Sequence, residues 1–180
     1  NSIFSDSAIF KVYRALVMTF GGFQSQDISK LLSRTEELDT KKNLSGEIMA
    51  VKALLKSYSG DQENAIRFSH RAIAKIATEK VFFRQLVERN LGIAYTIKGE
   101  LREAARWFEC LLFSSYKLQD LNGILAAYHY LTHIRMIQGR LQEAGVIYKK
   151  ALTFIKDNAL EESPHSIKIM AGYGHLWMQW

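Results

Sequence analysis

The feature that most constrains this chain is a spaced triplet of small residues that recurs along it. In the clearest copy, Gly92 is followed by Gly99 seven positions later and by Ala104 five positions after that. The first small residue of the triplet recurs at positions 15, 53, 92, 132 and 172, so the spacing stays between 38 and 40 residues. A fixed period of this length is typical of a repeat architecture, in which each unit packs mainly on its neighbours.

Each repeat is predicted to be a pair of helices, because apolar residues recur at three and four spacing on both sides of the turn glycine. That glycine falls where a helix end needs a left-handed residue. Asp61 and Glu100 then place negative charge at the start of the next helix. The predicted helices are 7–20, 24–38, 46–58, 62–77, 84–98, 101–117, 123–138, 141–156 and 166–180.

A single proline in 180 residues favours a chain that is helical almost throughout. Pro164 is placed in the loop before the last helix. The predicted fold is therefore all-α, a right-handed superhelical solenoid of about nine helices without β-sheet. It forms one domain over residues 1–180, a fragment of a longer protein, with the repeats 8–45, 46–84, 85–124, 125–164 and a partial 165–180.

Two positions of the register carry predictions about packing. Helices cross closely at the small residues, so Ala104 and Ala144 are predicted to be buried there. The last helix has no predicted partner after it and is expected to expose an apolar patch, which soluble monomers avoid. We therefore expect self-association through this end, by way of Tyr173, Leu176, Trp177 and Trp180.

Charge and composition favour a cytoplasmic protein. The net charge is +6, but lysines and arginines are dispersed among acids at helical spacing, which indicates solvated helix faces rather than a nucleic-acid footprint. The single cysteine, Cys110, forms no intrachain disulfide, which fits a reducing compartment. No stretch reaches the roughly 18 consecutive apolar residues of a membrane span, so no membrane partner is expected.

Catalytic and metal-binding motifs are not found. The chain has no nucleophile elbow, no HExxH, no CxxC pair and no EF-hand loop, so we expect no enzyme and no catalytic residues. His129 and His133 have the spacing that lets two imidazoles reach one zinc ion. A third ligand is not evident, and no metal is predicted.

The consensus positions of the tetratricopeptide repeat are occupied by the small residue, Tyr95, the turn glycine, the following alanine, and Phe108 or Tyr148. The period exceeds that family's length of about 34 residues. With QGRLQEA at 138–144 and LWMQW at 176–180, the chain looks more like the helical-repeat region of MalT-like regulators. These belong to the LuxR class of bacterial transcription factors. The resemblance covers essentially all 180 residues, although Arg135 replaces the consensus tyrosine.

The resemblance implies a region that senses an inducer and gates self-association. In that family an ATP-binding domain precedes the repeats and a helix-turn-helix DNA-binding domain follows them. No G-x-x-x-x-G-K-[ST] phosphate loop occurs here, so ATP and DNA binding are expected only of missing domains, and no cofactor is expected in this chain. The alternative is a tetratricopeptide-type adaptor that binds protein segments and has no link to transcription.

The resemblance also implies a concave groove, formed by positions five, six, nine and twelve of the first helices when the small residue is position eight. In the first two repeats these positions are mostly apolar, as with Val12 and Leu16. The later repeats place polar and aromatic residues there. The predicted binding residues are Arg89, Asn90, His129, Tyr130 and His133, with Tyr173 at one edge.

This mixture of side chains suits a small-molecule inducer that is anionic or bears hydroxyl groups, or a peptide. Because histidine titrates near neutrality, anion binding is expected to tighten as the pH falls from about 8 to 6. The alternative interpretation is that these residues only pack a tight superhelix.

Overall fold

A computed structural model describes residues 7–178. This part of the chain contains nine helices and no strand, and 79% of it is helical, which confirms the predicted all-α fold. The helices are α1 (Ala8–Phe20), α2 (Ser25–Leu38), α3 (Ser45–Tyr58), α4 (Gln62–Ile73), α5 (Val81–Ile97), α6 (Leu101–Leu118), α7 (Leu121–Ile137), α8 (Leu141–Asp157) and α9 (Pro164–Trp177).

The predicted turn chemistry is confirmed where one helix gives way to the next. Between α3 and α4, Gly60 has a φ of +81°, a left-handed conformation that glycine adopts at little cost. Asp61 then caps α4, since its carboxylate accepts a hydrogen bond from the backbone N–H of Asn64 at 3.2 Å. Hydrogen bonding to the Asn64 side chain is the main reason why the pKa of Asp61 is lowered.

Several predicted helix ends differ from the observed ones by two to four residues. Helix α4 ends at Ile73 rather than at 77. Arg84 donates a hydrogen bond at 3.0 Å to the carbonyl oxygen of Ile76, so a side chain satisfies an acceptor in this segment that a longer helix would have paired internally. Pro164 is not in the loop but is the first residue of α9, where its missing N–H costs nothing.

Contacts within the chain group it into two compact units, residues 1–98 and 99–180. The first unit holds α1 to α5. Its core includes several residues from the first helix of a repeat that the register had placed in the concave groove. For these residues the predicted groove position was wrong. They are apolar residues that are almost completely buried: Val12, Leu16, Ala50, Val51 and Leu54.

The second unit holds α6 to α9. Ala104 and Ala144 are completely buried, as predicted from the register. The core around Ala144 combines side chains from α7, α8 and α9, among them Leu125, Tyr148 and Ile169. The alanine that stands five positions after the turn glycine is therefore a core residue in both of these repeats.

In the second unit, Arg135 stands where the repeat consensus has a tyrosine, and its ion pairs account for this difference. Its side chain is only 15% exposed and carries its charge between two carboxylates. The guanidinium lies 3.2 Å from Glu143 of α8 and 3.5 Å from Glu109 of α6. The arginine on α7 thus pairs with both helices that flank it in the chain.

Gly46 in α3 lies so close to the end of α4 that no side chain fits. A Cβ atom added there would be 2.9 Å from the backbone nitrogen of Ile76 and 3.1 Å from the carbonyl carbon of Lys75. We expect Gly46→Ala to lower the free energy of unfolding by about 1 kcal/mol, because this clash outweighs the gain in helix propensity. In α9 an added Cβ at Gly174 meets nothing within 4 Å, so Gly174→Ala should be neutral or stabilising. Equal urea midpoints for the two variants would contradict the close contact between Gly46 and the backbone of Lys75 and Ile76.

Candidate ligand-binding site

The six predicted binding residues are distributed over three helices. Arg89 and Asn90 are on α5 in the first unit, whereas His129, Tyr130 and His133 are on α7 and Tyr173 is on α9 in the second. Arg89 is half-buried. Asn90 is 3% exposed, and its amide donates a hydrogen bond at 3.1 Å to the hydroxyl of Ser69 on α4. That bond gives Asn90 a packing role within its own unit.

In the second unit, His129 is the centre of a group that we call the histidine cluster: His129, His133, His165 and Lys168. The rings of His129 on α7 and His165 on α9 are 6.3 Å apart between centroids. His133 and Lys168 are exposed, and both interact electrostatically with His129. The cluster therefore joins imidazoles and an ammonium group on two adjacent helices.

Burial makes His129 an uncharged residue near neutral pH. Desolvation, followed by repulsion from His165, Lys168 and His133, lowers the pKa of His129 to about 4. The expectation that anion binding tightens between pH 8 and 6 is therefore wrong as far as His129 is concerned, because its ring stays neutral over that range. A neutral imidazole offers one hydrogen-bond donor and one acceptor instead of a charge.

Tyr130 forms an aromatic pair beside this cluster. Its ring stacks on that of Phe108 with centroids 4.5 Å apart and planes inclined by 9°. Phe108 on α6 is almost completely buried, so it fixes the position of the half-buried tyrosine. The ring of His129, the preceding residue in the chain, lies 5.5 Å from that of Tyr130.

Tyr173 is part of a different environment. Its ring contacts those of Tyr148, at 5.7 Å, and Trp177, at 6.1 Å between centroids. It lines an apolar cavity of about 230 Å³ between α8 and α9, which we call the C-terminal cavity. The walls of this cavity are Gln142, Gly145, Val146, Lys149, Tyr173, Leu176 and Trp177.

The predicted apolar patch at this end is only partly correct. Trp177 is 63% exposed, but Leu176 is 3% exposed because it packs against α8 beside Gly145. Tyr173 is half-buried in the ring contacts just described. Trp180 lies outside the described residues.

Sequence reasoning missed His165 and Lys168. The predicted groove contained only positions five, six, nine and twelve of each repeat. His165 and Lys168 occupy positions one and four of the last repeat. His165 lies four positions before Ile169 and three before Lys168, spacings that place helix residues on neighbouring parts of one face. Extending the register by one turn towards the N-terminus would have included them.

Residues 7–178 contain neither a group of metal ligands nor a membrane-spanning helix. There, no group of three or more His, Cys, Asp or Glu side chains is arranged so that it could hold a metal ion. Over the same range, no helix combines the length and the apolar character needed to cross a membrane.

Paired helices with small residues at their crossings and left-handed glycines in their turns define a tetratricopeptide-like repeat protein. A family model described as the MalT-like TPR region matches residues 46–180. The chain therefore belongs to the MalT-like TPR region family, and repeat regions of this type are non-catalytic modules. The match leaves out the first helix pair, α1 and α2. Neither the curated proteins nor the solved structures contain a match to this chain.

Proposed function

We propose that this chain is the ligand-sensing repeat region of a MalT-like transcription regulator of the LuxR class and catalyses nothing itself. The observation that carries the proposal is the family match over residues 46–180. Its binding surface in the second unit is the histidine cluster together with Tyr130. ATP and DNA would be bound by other domains of such a regulator.

The chemistry of this surface favours a ligand with hydroxyl groups. His129 is neutral near pH 7 and pairs with hydroxyls both as donor and as acceptor. The ring of Tyr130 is suited to packing against the apolar face of a sugar.

The test uses the regulator gene that encodes this region, with a transcriptional reporter and a panel of mono- and disaccharides and their phosphates as inducers. His129→Ala/His133→Ala should abolish or weaken the response at least tenfold, while Arg89→Ala tests the first unit separately. Because His129 is uncharged from pH 8 to 6, the loss of affinity for a neutral sugar that His129→Ala causes in the purified chain should be the same at both pH values.

The outcomes distinguish the two functions that the sequence left open. If the reading frame encodes no helix-turn-helix domain, the regulator proposal fails and the adaptor remains. If the double histidine variant folds and responds like the parent, the histidine cluster is not the sensing surface and its residues only pack the fold.

Self-association is proposed as the second property of the region, through the C-terminal cavity. Trp177 and Val146 are 63% and 55% exposed at its rim, an apolar pair that a second copy would cover. We expect Trp177→Ala to shift the sedimentation coefficient towards the monomer. Phe113→Ala is the matched control, since Phe113 is 73% exposed on α6 and does not line this cavity. A parent chain that stays monomeric at high concentration would contradict the proposal.

A further inference from the structure

A second cavity of the second unit, which we call the tyrosine groove, has a volume of about 430 Å³. This volume is within the range of small-molecule sites, and the groove is wide open to solvent. Its lining combines aromatic rings with groups of both charges and comes from α6, α7 and α8. The lining residues are Tyr116, Tyr128, Lys149, Lys150, Thr153, Phe154 and Asp157.

The aromatic part of the tyrosine groove is built as one unit. The hydroxyls of Tyr116 and Tyr128 are 2.7 Å apart and hydrogen-bonded. The ring of Phe154 lies 5.9 Å from that of Tyr116 and 6.4 Å from that of Tyr128. Tyr128 is 7% exposed and forms the floor, whereas Tyr116 is 45% exposed, so that part of its side chain is open to solvent. Burial raises the pKa of Tyr128, so its hydroxyl stays protonated at neutral pH.

The polar part is arranged along α8. Lys149 and Lys150 stand at one end, and Asp157 stands two turns further on, about 10 Å away at the rise of an α-helix. Thr153 and Phe154 lie between these ends. From Lys149 towards Asp157, the groove therefore presents positive charge, an aromatic surface and a carboxylate acceptor, in that order.

We propose that the tyrosine groove binds a small molecule with an anionic group at one end and a flat ring bearing an N–H donor at the other, such as a nucleoside monophosphate. The phosphate accepts hydrogen bonds from Lys150 and Lys149. The ring packs on the exposed part of Tyr116. An exocyclic amine donates to the carboxylate of Asp157. The lysines, Tyr116 and Asp157 thus account for the anionic group, the flat ring and the N–H donor of the ligand, respectively.

The tyrosine groove is distinct from the histidine cluster. Tyr128 and His129 are neighbours in the chain, but Tyr128 contacts rings of α6 and α8 whereas His129 contacts the ring of His165 on α9. The proposal therefore goes beyond the sensing function and does not depend on it. A His129→Ala variant should retain binding in the groove.

The experiment is titration calorimetry of the 180-residue chain with AMP at low salt, alongside adenosine, which lacks the phosphate, and ribose 5-phosphate, which lacks the base. AMP should bind at least tenfold more tightly than either fragment, because each engages only part of the groove. Lys150→Ala should weaken AMP binding about tenfold and leave adenosine unchanged. Lys150 is chosen because Lys149 also lines the C-terminal cavity.

Matched controls come from the same helices. Lys156→Ala removes an exposed charge of α8 outside the groove and should leave AMP binding unchanged. Tyr116→Ala should weaken AMP and adenosine alike, whereas Phe113→Ala should weaken neither. No measurable binding of AMP at millimolar concentration, or equal losses in Lys150→Ala and Lys156→Ala, would overturn the proposal. Circular dichroism melts verify that each variant is folded.

Discussion

Replacing Lys80 with alanine is expected to lower the free energy of unfolding by about 2–3 kcal/mol. The ammonium group of Lys80 forms an ion pair with Glu47, whose side chain is 1% exposed, and also lies 3.4 Å from the carbonyl oxygen of Asn43. Removing one partner of a buried pair typically costs about 3–5 kcal/mol because a desolvated charge is left alone. The expected loss is smaller here, since the Lys80 side chain is 36% exposed and water screens the pair.

Urea denaturation at pH 7 measures this effect. Lys75→Ala is the matched control, because Lys75 is an exposed lysine of the same unit, and it should change the stability by less than about 0.5 kcal/mol. Adding Glu47→Gln to Lys80→Ala removes the isolated charge and should restore part of the loss. Equal midpoints for Lys80→Ala and Lys75→Ala would show that the pair contributes nothing.

Ala144→Leu is expected to destabilise the chain by about 1–3 kcal/mol through overpacking. Ala144 is completely buried in the core of the second unit, where Leu125, Tyr148 and Ile169 leave no room for three further carbons. For a chain of this size, the loss corresponds to a fall in melting temperature of about 2–12 °C. Ala104→Leu should behave in the same way, because Ala104 holds the equivalent place one repeat earlier.

Ala171→Leu provides the comparison for both leucine variants. Ala171 is an exposed residue within α9, so the larger side chain extends into solvent and should change the melting temperature little. If Ala104→Leu and Ala144→Leu both melt like Ala171→Leu, the repeat register is wrong. A clear difference would tie the small residues to helix crossings.

The candidate binding residues were predicted less well than the fold. The register chose His129, Tyr130 and His133, which stay predictions, and it also chose Asn90, whose amide is used in a buried hydrogen bond to Ser69. A periodic pattern states which side of a helix a residue occupies. It does not state whether a neighbouring helix covers that side, and this is why Val12 and similar positions proved to be core.

The sequence by itself determined the helical fold, the repeat period and the turns. These features depend on local chemistry, such as the left-handed glycine at 60 and the cap at Asp61, and on the periodicity of apolar residues. The burial of Ala144 also follows from the register, because the alanine five positions after the turn glycine is completely buried in each repeat that has one.

Only the tertiary structure decided which polar and aromatic side chains meet. Lys80 pairs with Glu47, which lies 33 positions earlier in the chain. The ring of His165 on α9 lies next to that of His129 on α7. Tyr116 and Phe154 join in one groove although they stand on different helices. Such pairs depend on the rotation and separation of packed helices, which no residue spacing within a single helix specifies. The uncharged state of His129 has the same origin, since burial by its neighbours sets its pKa.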